Sequence, residues 1–273
     1  MDKSLDEIEF TIFDTETTGL EPESGDRIVE IAAVRFKQNK RIAAFQALVN
    51  PHRPISSAAF AVNRISQEML VNAPDISVIM PEFLSFIKGS CLCSYNAGFD
   101  LGFLNQELKL LGAPSLQDNV VVDILKMAKR LLPGLERYAL WFVADKLGLE
   151  SAQQHRALSD VELTLGVFDK LRAMLKTKGI FDLANFYGLF GLNADFLNNL
   201  NNQKISRIQE ALDLGLKLKI KYLSRSTAQV SERQVIPKEI KQDKDYIYLI
   251  GHCCLRNQER SFRIDGILNL EAI

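Results

Sequence analysis

Cysteine is scarce. The 273 residues hold four, at positions 91, 93, 253 and 254, too few and too clustered for a disulfide framework. Cys91 and Cys93 lie in the apolar run SCLCSY, where burial as small hydrophobes is the expectation. Histidine is scarcer still, and His52, His155 and His252 do not pair with cysteines at zinc-finger spacing, which argues against a structural zinc module. No window approaches the roughly 18 consecutive apolar residues of a membrane span. The opening MDKSLDEIEF is acidic and lacks the cationic and apolar regions of a secretory signal, so a cytoplasmic protein without membrane association is expected. Glycine (15) and proline (8) are too sparse for a fibrous or low-complexity chain, and 47% hydrophobic residues suffice for a packed core. The length favours two domains over one.

An excess of one charge is also missing, but only on average. Residues 204–273 carry 13 Lys and Arg against 9 Asp and Glu, whereas residues 1–203 carry 20 against 25, so +4 follows −5. An acidic unit repels polyanions, so if the first part handles nucleic acid, some of its carboxylates must be neutralised by metal.

Alternation and β-rich composition predict strands over 7–14, 27–36 and 41–50, the last two joined by a polar turn at 37–40. Helical spacing over 77–89, a short buried strand over 90–95 and a helix over 97–111 follow. Residues 120–131 pass from a Val-rich strand into a helix, 138–147 are helical, and 157–175 form a long amphipathic helix. This order predicts an α/β layered fold with an antiparallel start, ending near residue 178. Residues 179–203 read as a linker with one short helix. From 204 a helix stopped by Gly215 precedes a strand series, giving a small, mostly β second domain over 204–273.

Three sites in the first domain carry chemistry. Asp14 and Glu16 stand two apart in a strand and so share a face, with Thr17, Thr18 and Gly19 turning the chain behind them. Asn96-Ala97-Gly98-Phe99-Asp100 opens a helix and places Asp100 in its first turn, where the macrodipole favours an acid. His155 lies five residues before Asp160 at a loop-to-helix junction, and can approach it only from the loop side. Each alone reads as an ordinary exposed acid or helix start; together they place four acids and one histidine at the ends of different elements of one layer.

FDTETTGL, SYNAGFDLGFL and HRALSDVELT, in this order, resemble the three motifs of the DEDDh exonucleases, a ribonuclease H-like family that includes proofreading subunits of bacterial DNA polymerase III and ribonuclease T. The resemblance covers roughly residues 8–175, with further echoes in RIVEIAAVRF, VNPHRPIS and VVDILKMAKRLLPG. It implies a ribonuclease H-like αβα domain with a mixed sheet, and metal-dependent 3′–5′ hydrolysis of phosphodiesters at a single-stranded end, DNA favoured over RNA. It implies two divalent cations, Mg²⁺ or Mn²⁺. Asp14, Glu16 and Asp160 would hold the first, Asp14 would bridge to the second, Asp100 would support that one, and His155 would take the proton of the attacking water. Thr17, Asn96, Phe99 and Phe103 are candidates for the nucleotide pocket. Val62-Asn63-Arg64-Ile65-Ser66 replaces the His-Gly-Ile segment of many relatives, which bears on base and sugar preference. The partner classes implied are nucleic acid and a polymerase or DNA-repair complex. The alternatives are a non-catalytic nucleic-acid-binding regulator and a phosphodiesterase of small oligonucleotides.

Residues 204–273 resemble the WYL domain, a small SH3- or Sm-like β-barrel, through LKIKYLS, VIP and YIYLIGHCCLRNQERSFRIDGI, with Ile247-Tyr248-Leu249 at the name motif. The tryptophan is absent, and Gly266 stands where relatives carry arginine. The resemblance implies binding of a nucleotide or of nucleic acid. The interleaved basic and aromatic residues, with Tyr248, Arg256, Arg260 and Arg263 as the candidate contacts, suit base stacking with phosphate neutralisation.

Overall fold

Ile- and Phe-rich alternation makes β1 (Glu9–Thr17) the middle of a five-stranded sheet, with β2 (Ile28–Lys37) and β3 (Lys40–Leu48) added antiparallel on one side. The computed structural model describes residues 3–38, 40–150, 155–244 and 246–273, so Asn39 at the tip of the expected turn lies outside the described residues. Three helices follow, α1 (Ser57–Asn63), α2 (Gln67–Leu70) and α3 (Ile76–Ile87). The chain then returns to the sheet as β4 (Cys91–Ser94), crosses through α4 (Ala97–Leu110) to β5 (Val121–Asp123), and continues into α5 (Ile124–Leu131), α6 (Leu140–Lys146) and α7 (Ala157–Thr177). The strand order is β3-β2-β1-β4-β5, with β4 parallel to β1 and β5 parallel to β4.

Alternation places neighbouring residues of β1 and β2 in different cores. Phe10, Ile12, Ala32, Val34 and Phe36 pack with α7 residues such as Phe168 on one face, while Phe13, Ile31 and Ala33 pack with Phe83, Phe103 and Leu104 on the other. Fully burying a phenylalanine contributes about 1.5–3 kcal/mol, so the two faces pin the register of β1 against a one-residue slip. A sheet covered by helices on both sides is the expected mixed α/β fold. Cys91 and Cys93 are buried in it as free thiols.

Residues 179–203, expected as a linker with one short helix, hold α8 (Leu183–Phe190) and the first half of α9 (Ala194–Asp213). Phe186 and Phe190 are fully buried, and Phe186 packs on Phe10 and Phe168 of the first unit's core.

The C-terminal strands are β6 (Leu218–Leu223), β7 (Val230–Asp243), β8 (Tyr246–Cys253), β9 (Gln258–Arg263) and β10 (Ile267–Ala272), in the antiparallel order β10-β6-β7-β8-β9. The expected SH3- or Sm-like barrel is corrected to an open sheet, because β10 and β9 do not pair among the described residues. The physical reason is that Ile208 and Ala211 of α9 cover the apolar face made by Leu218, Val235, Leu249 and Phe262, so the sheet need not close on itself to hide it. Pro237 lies at a register shift in β7, as a residue without a backbone N–H requires. Leu223 and Leu268 reach into the first unit's core, so the two units share packing. No helix among the described residues is long and apolar enough to cross a membrane.

Candidate active site

Asp14 and Glu16 project from one face of β1, and Asp160 from the first turn of α7, where the helix dipole stabilises an acid. One ligand atom from each lies within 4.8 Å of the others. Asp160 is only 4% exposed. Like charges this close repel, and burial adds to the cost of ionising them. Burial, then Asp100, Glu16, Asp160 and Glu30, push the Asp14 carboxyl well above the ordinary carboxylate range. Burial and the neighbouring acids push Glu16 up to about 8.

Asp100, in the first turn of α4, is 2% exposed. Its Oδ1 accepts from the Thr15 backbone N–H at 2.9 Å and the Thr15 hydroxyl at 2.7 Å, and its Oδ2 from the Ser94 hydroxyl at 2.6 Å. Burial pushes Asp100 up to about 6, against the hydrogen bonds of Ser94 and Thr15, which favour the charged form. The expected fourth acid thus borders the cluster, electrostatically linked to Asp14, but is not one of the three converging groups. His155 sits in left-handed backbone, φ 49°, just before α7, with Nδ1 3.9 Å from Asp160 Oδ2 and its side chain 47% exposed. Residues 151–154 ahead of it lie outside the described residues.

Convergent, partly buried carboxylates that raise one another's pKa fit a hard divalent cation, whose charge removes the repulsion. The donor set is all oxygen, and no thiol enters it.

Several supporting residues had a weaker signal in the sequence. Glu30, fully buried in β2, faces Glu16 across the strand pair. It accepts from Arg156 Nη2 at 2.9 Å, from Gln46 Nε2 at 2.9 Å and from the Ala157 N–H at 3.1 Å, tying the sheet to the start of the helix that carries Asp160. A lone glutamate in an otherwise apolar strand, RIVEIAAV, was its only mark. The turn after β1 closes on Asp26, whose Oδ1 accepts from the Thr18 hydroxyl at 2.9 Å. A Cβ at Gly19 would lie 2.2 Å from that carboxylate, so any side chain there would displace Asp26 from the turn.

The nucleotide-contact candidates separate. Asn96 is exposed in left-handed backbone at the start of α4, and Phe99 is partly buried beside it. Phe103, a candidate for the nucleotide pocket, is 1% exposed and packed at 5.0 Å on Phe99, so it is a core residue with no ring face exposed to a base. Thr17 is 6% exposed and its hydroxyl donates to the Gly19 carbonyl. In the departing segment, Asn63 is buried and donates to the Thr17 carbonyl at 3.3 Å, and Arg64 takes the left-handed position, φ 57°, that glycine favours. Far from this group in sequence, Arg256 and Arg260 are exposed, Tyr248 is half-buried, and Arg263 is engaged by Asp265. His52 is exposed and paired with Asp75.

A helix-covered mixed sheet presenting converging carboxylates from a central strand and a helix start defines an α/β protein with an acidic cluster suited to a divalent cation. Residues 11–168 match the family described as Exonuclease, and residues 203–272 match the WYL domain. The chain belongs to the exonuclease family and carries a C-terminal WYL domain. It is 42% identical over 168 residues to the DNA polymerase III subunit epsilon of Treponema pallidum, covering 61% of this chain and 77% of that one. It is 39% identical over 180 residues to a DNA polymerase III subunit epsilon-like protein of Rhodobacter capsulatus, covering 64% of this chain but 25% of the relative. It spans only 17% of the PolC-type DNA polymerase III of Staphylococcus saprophyticus. Among solved structures, exonuclease X in complex with 5′-overhanging duplex DNA is 30% identical, with a TM-score of 0.50 over 62% of this chain and 93% of that one. Escherichia coli exonuclease I, in a complex with single-stranded DNA, shares the fold over 89% of this chain and 54% of its own, at 16% identity and a TM-score of 0.58.

Proposed function

We propose that the chain is a metal-dependent 3′–5′ exonuclease that releases nucleoside monophosphates from a single-stranded 3′ end, DNA in preference to RNA. The convergence of Asp14, Glu16 and Asp160 within 4.8 Å carries this reading, because clustered acids oppose a polyanion unless they hold cations for it. Asp14, Glu16 and Asp160, with Asp100 beside them, would hold two Mg²⁺ or Mn²⁺ ions. When bound, such ions supply Lewis-acid stabilisation of the charge that builds on the phosphoryl and leaving oxygens. His155, exposed beside Asp160, accepts the proton of the attacking water. Glu30 and Arg156 hold the start of α7, so that Asp160 and His155 keep their places relative to β1.

The chain acts as two units, a nuclease over 1–178 and a WYL unit over 204–273 that binds nucleic acid or a nucleotide, joined through 179–203. It works in the cytoplasm, within a polymerase or repair assembly. Incubation with Mg²⁺ and 5′-labelled single-stranded DNA, RNA, duplex and dinucleotide tests the reading. A ladder shortening from the 3′ end, faster on DNA, is expected; no Mg²⁺-dependent shortening of any substrate overturns it.

A further inference from the structure

Between α5 and the C-terminal sheet lies a cleft of about 550 Å³, inside the roughly 300–1,000 Å³ typical of small-molecule sites. Among the described residues, its walls carry Lys126, Lys129, Arg130, Arg225 and Arg263 against a single acid, Asp265. The first three belong to α5 and the others to the WYL unit, so neither unit builds the cleft alone. None of the converging carboxylates borders it.

This positive charge is only partly satisfied internally: Arg263 is paired with Asp265, and Lys126 donates to the Gly191 carbonyl at 3.2 Å. Arg130 is 7% exposed and donates Nη2 to the Leu223 carbonyl at 3.0 Å, but its buried Nε has no hydrogen-bond partner among the described residues. Burial lowers the Arg130 pKa, Asp265 and Tyr222 oppose that, and Arg263 and Arg225 add to it. Asp265 is already committed to Arg263, accepting from its Nε at 3.0 Å. A buried cation left short of partners is costly, and an anion in the cleft would offset that cost.

The glycine at position 266 explains how Arg130 comes to be there. A Cβ on Gly266 would lie 2.7 Å from Arg130 Nη2 and 2.8 Å from the Tyr222 ring, so the guanidinium fills the space that a side chain at 266 would need. The space beside Gly266 is thus held by an arginine of α5, from the other unit. Tyr246, 40% exposed with the Arg263 guanidinium 3.6 Å from its ring centroid, adds an aromatic surface at the same wall.

We propose that this inter-unit cleft binds the phosphate group of a nucleotide, free or within a strand, using Lys129, Arg130 and Arg225, with Tyr246 beside the base. The proposal rests on the reading of the WYL unit as a nucleotide or nucleic-acid binder, and adds its place and the need for both units. The test is calorimetric titration of the full chain in EDTA, which removes divalent cations and leaves the acidic cluster repelling anions. The probes are dAMP, an oligothymidylate and inorganic phosphate. The main variant is Lys129→Glu with Arg225→Glu, both exposed, with circular dichroism confirming that it folds.

At least tenfold weaker binding in this variant than in the parent is expected for dAMP or the oligothymidylate. Binding of dAMP identifies a free nucleotide as sufficient; binding of the oligothymidylate alone identifies a strand. Affinity of the variant equal to the parent's for every probe overturns the cleft. Loss instead in Arg256→Glu with Arg260→Glu would keep the binding role of the WYL unit and move it to the exposed strand face. No binding of any probe by the parent overturns both the cleft and that role.

Discussion

Glu16 and Glu30 face each other across the β1–β2 pair, yet folding shifts them in opposite directions. Burial and the surrounding acids push Glu16 up to about 8. Burial acts the same way on Glu30, but hydrogen bonds from Arg156, Gln46 and Ala157 outweigh it and hold Glu30 below its ordinary value. One glutamate is left wanting a cation; the other already has one, and is structural.

Glu30→Ala therefore should act as a positioning defect. It removes the acceptor of Arg156 and of the Ala157 N–H, and unmaking a charged hydrogen-bonded pair at a buried site costs about 1–3 kcal/mol. For a chain of this size that is a fall in Tm of roughly 2–4 °C per kcal/mol. Turnover should fall with Asp160 and His155 loosened, while Glu30→Gln, which can still accept, should recover part of both. A thermal melt and an exonuclease assay on the two variants check this; equal Tm for parent and Glu30→Ala would refute it.

Asp14→Asn should bring hydrolysis to background and, without metal, raise stability. Removing one charge from a repelling buried cluster relieves the remaining acids. The checks are product release in Mg²⁺ and a melt in EDTA. Near-parental turnover would end the assignment of the site.

His155→Ala should lose on the order of 10²–10⁴ in turnover while cation binding, followed by Mn²⁺ titration, stays close to the parent's. Full turnover at neutral pH would reduce His155 to a neighbour of Asp160.

Stability without metal should decline as pH rises from 6 to 8.5. Glu16 has a folded pKa of about 8 against an unfolded value near 4.3. The folded state therefore binds more protons, and stability falls as pH climbs between those values. Mg²⁺ should flatten the dependence by binding the ionised cluster. Melts across this range with and without Mg²⁺ decide it; a rise in Tm with pH in EDTA would contradict the cluster's electrostatics.

Gly266→Arg should destabilise. The new side chain would enter space held by Arg130, Tyr222 and the Leu223 carbonyl, and overpacking costs typically about 1–3 kcal/mol. Denaturant midpoints of the two proteins measure it; an unchanged midpoint would show that Arg130 moves freely.

Strand and helix periods, the antiparallel start and the positions of Asp14, Glu16, Asp100, His155 and Asp160 at the ends of elements were legible in the sequence, because alternation and helix-start chemistry are local properties of the chain. The three motifs, being short and ordered, carried the family. What the sequence could not decide was which groups meet. Asp14, Glu16 and Asp160 converge because the sheet sets β1 beside α7, whereas Asp100 turns its oxygens to Thr15 and Ser94, a choice made by partners 85 and 6 residues away. Phe103 looked available beside a helix start, but the packing of α4 against the sheet buries it. The C-terminal strands were recognisable one by one, but whether they close depends on what covers their apolar face, and α9 does so. Arg130 and Gly266 are 136 positions apart, and only the docking of the two units brings a guanidinium into the space that the missing side chain leaves.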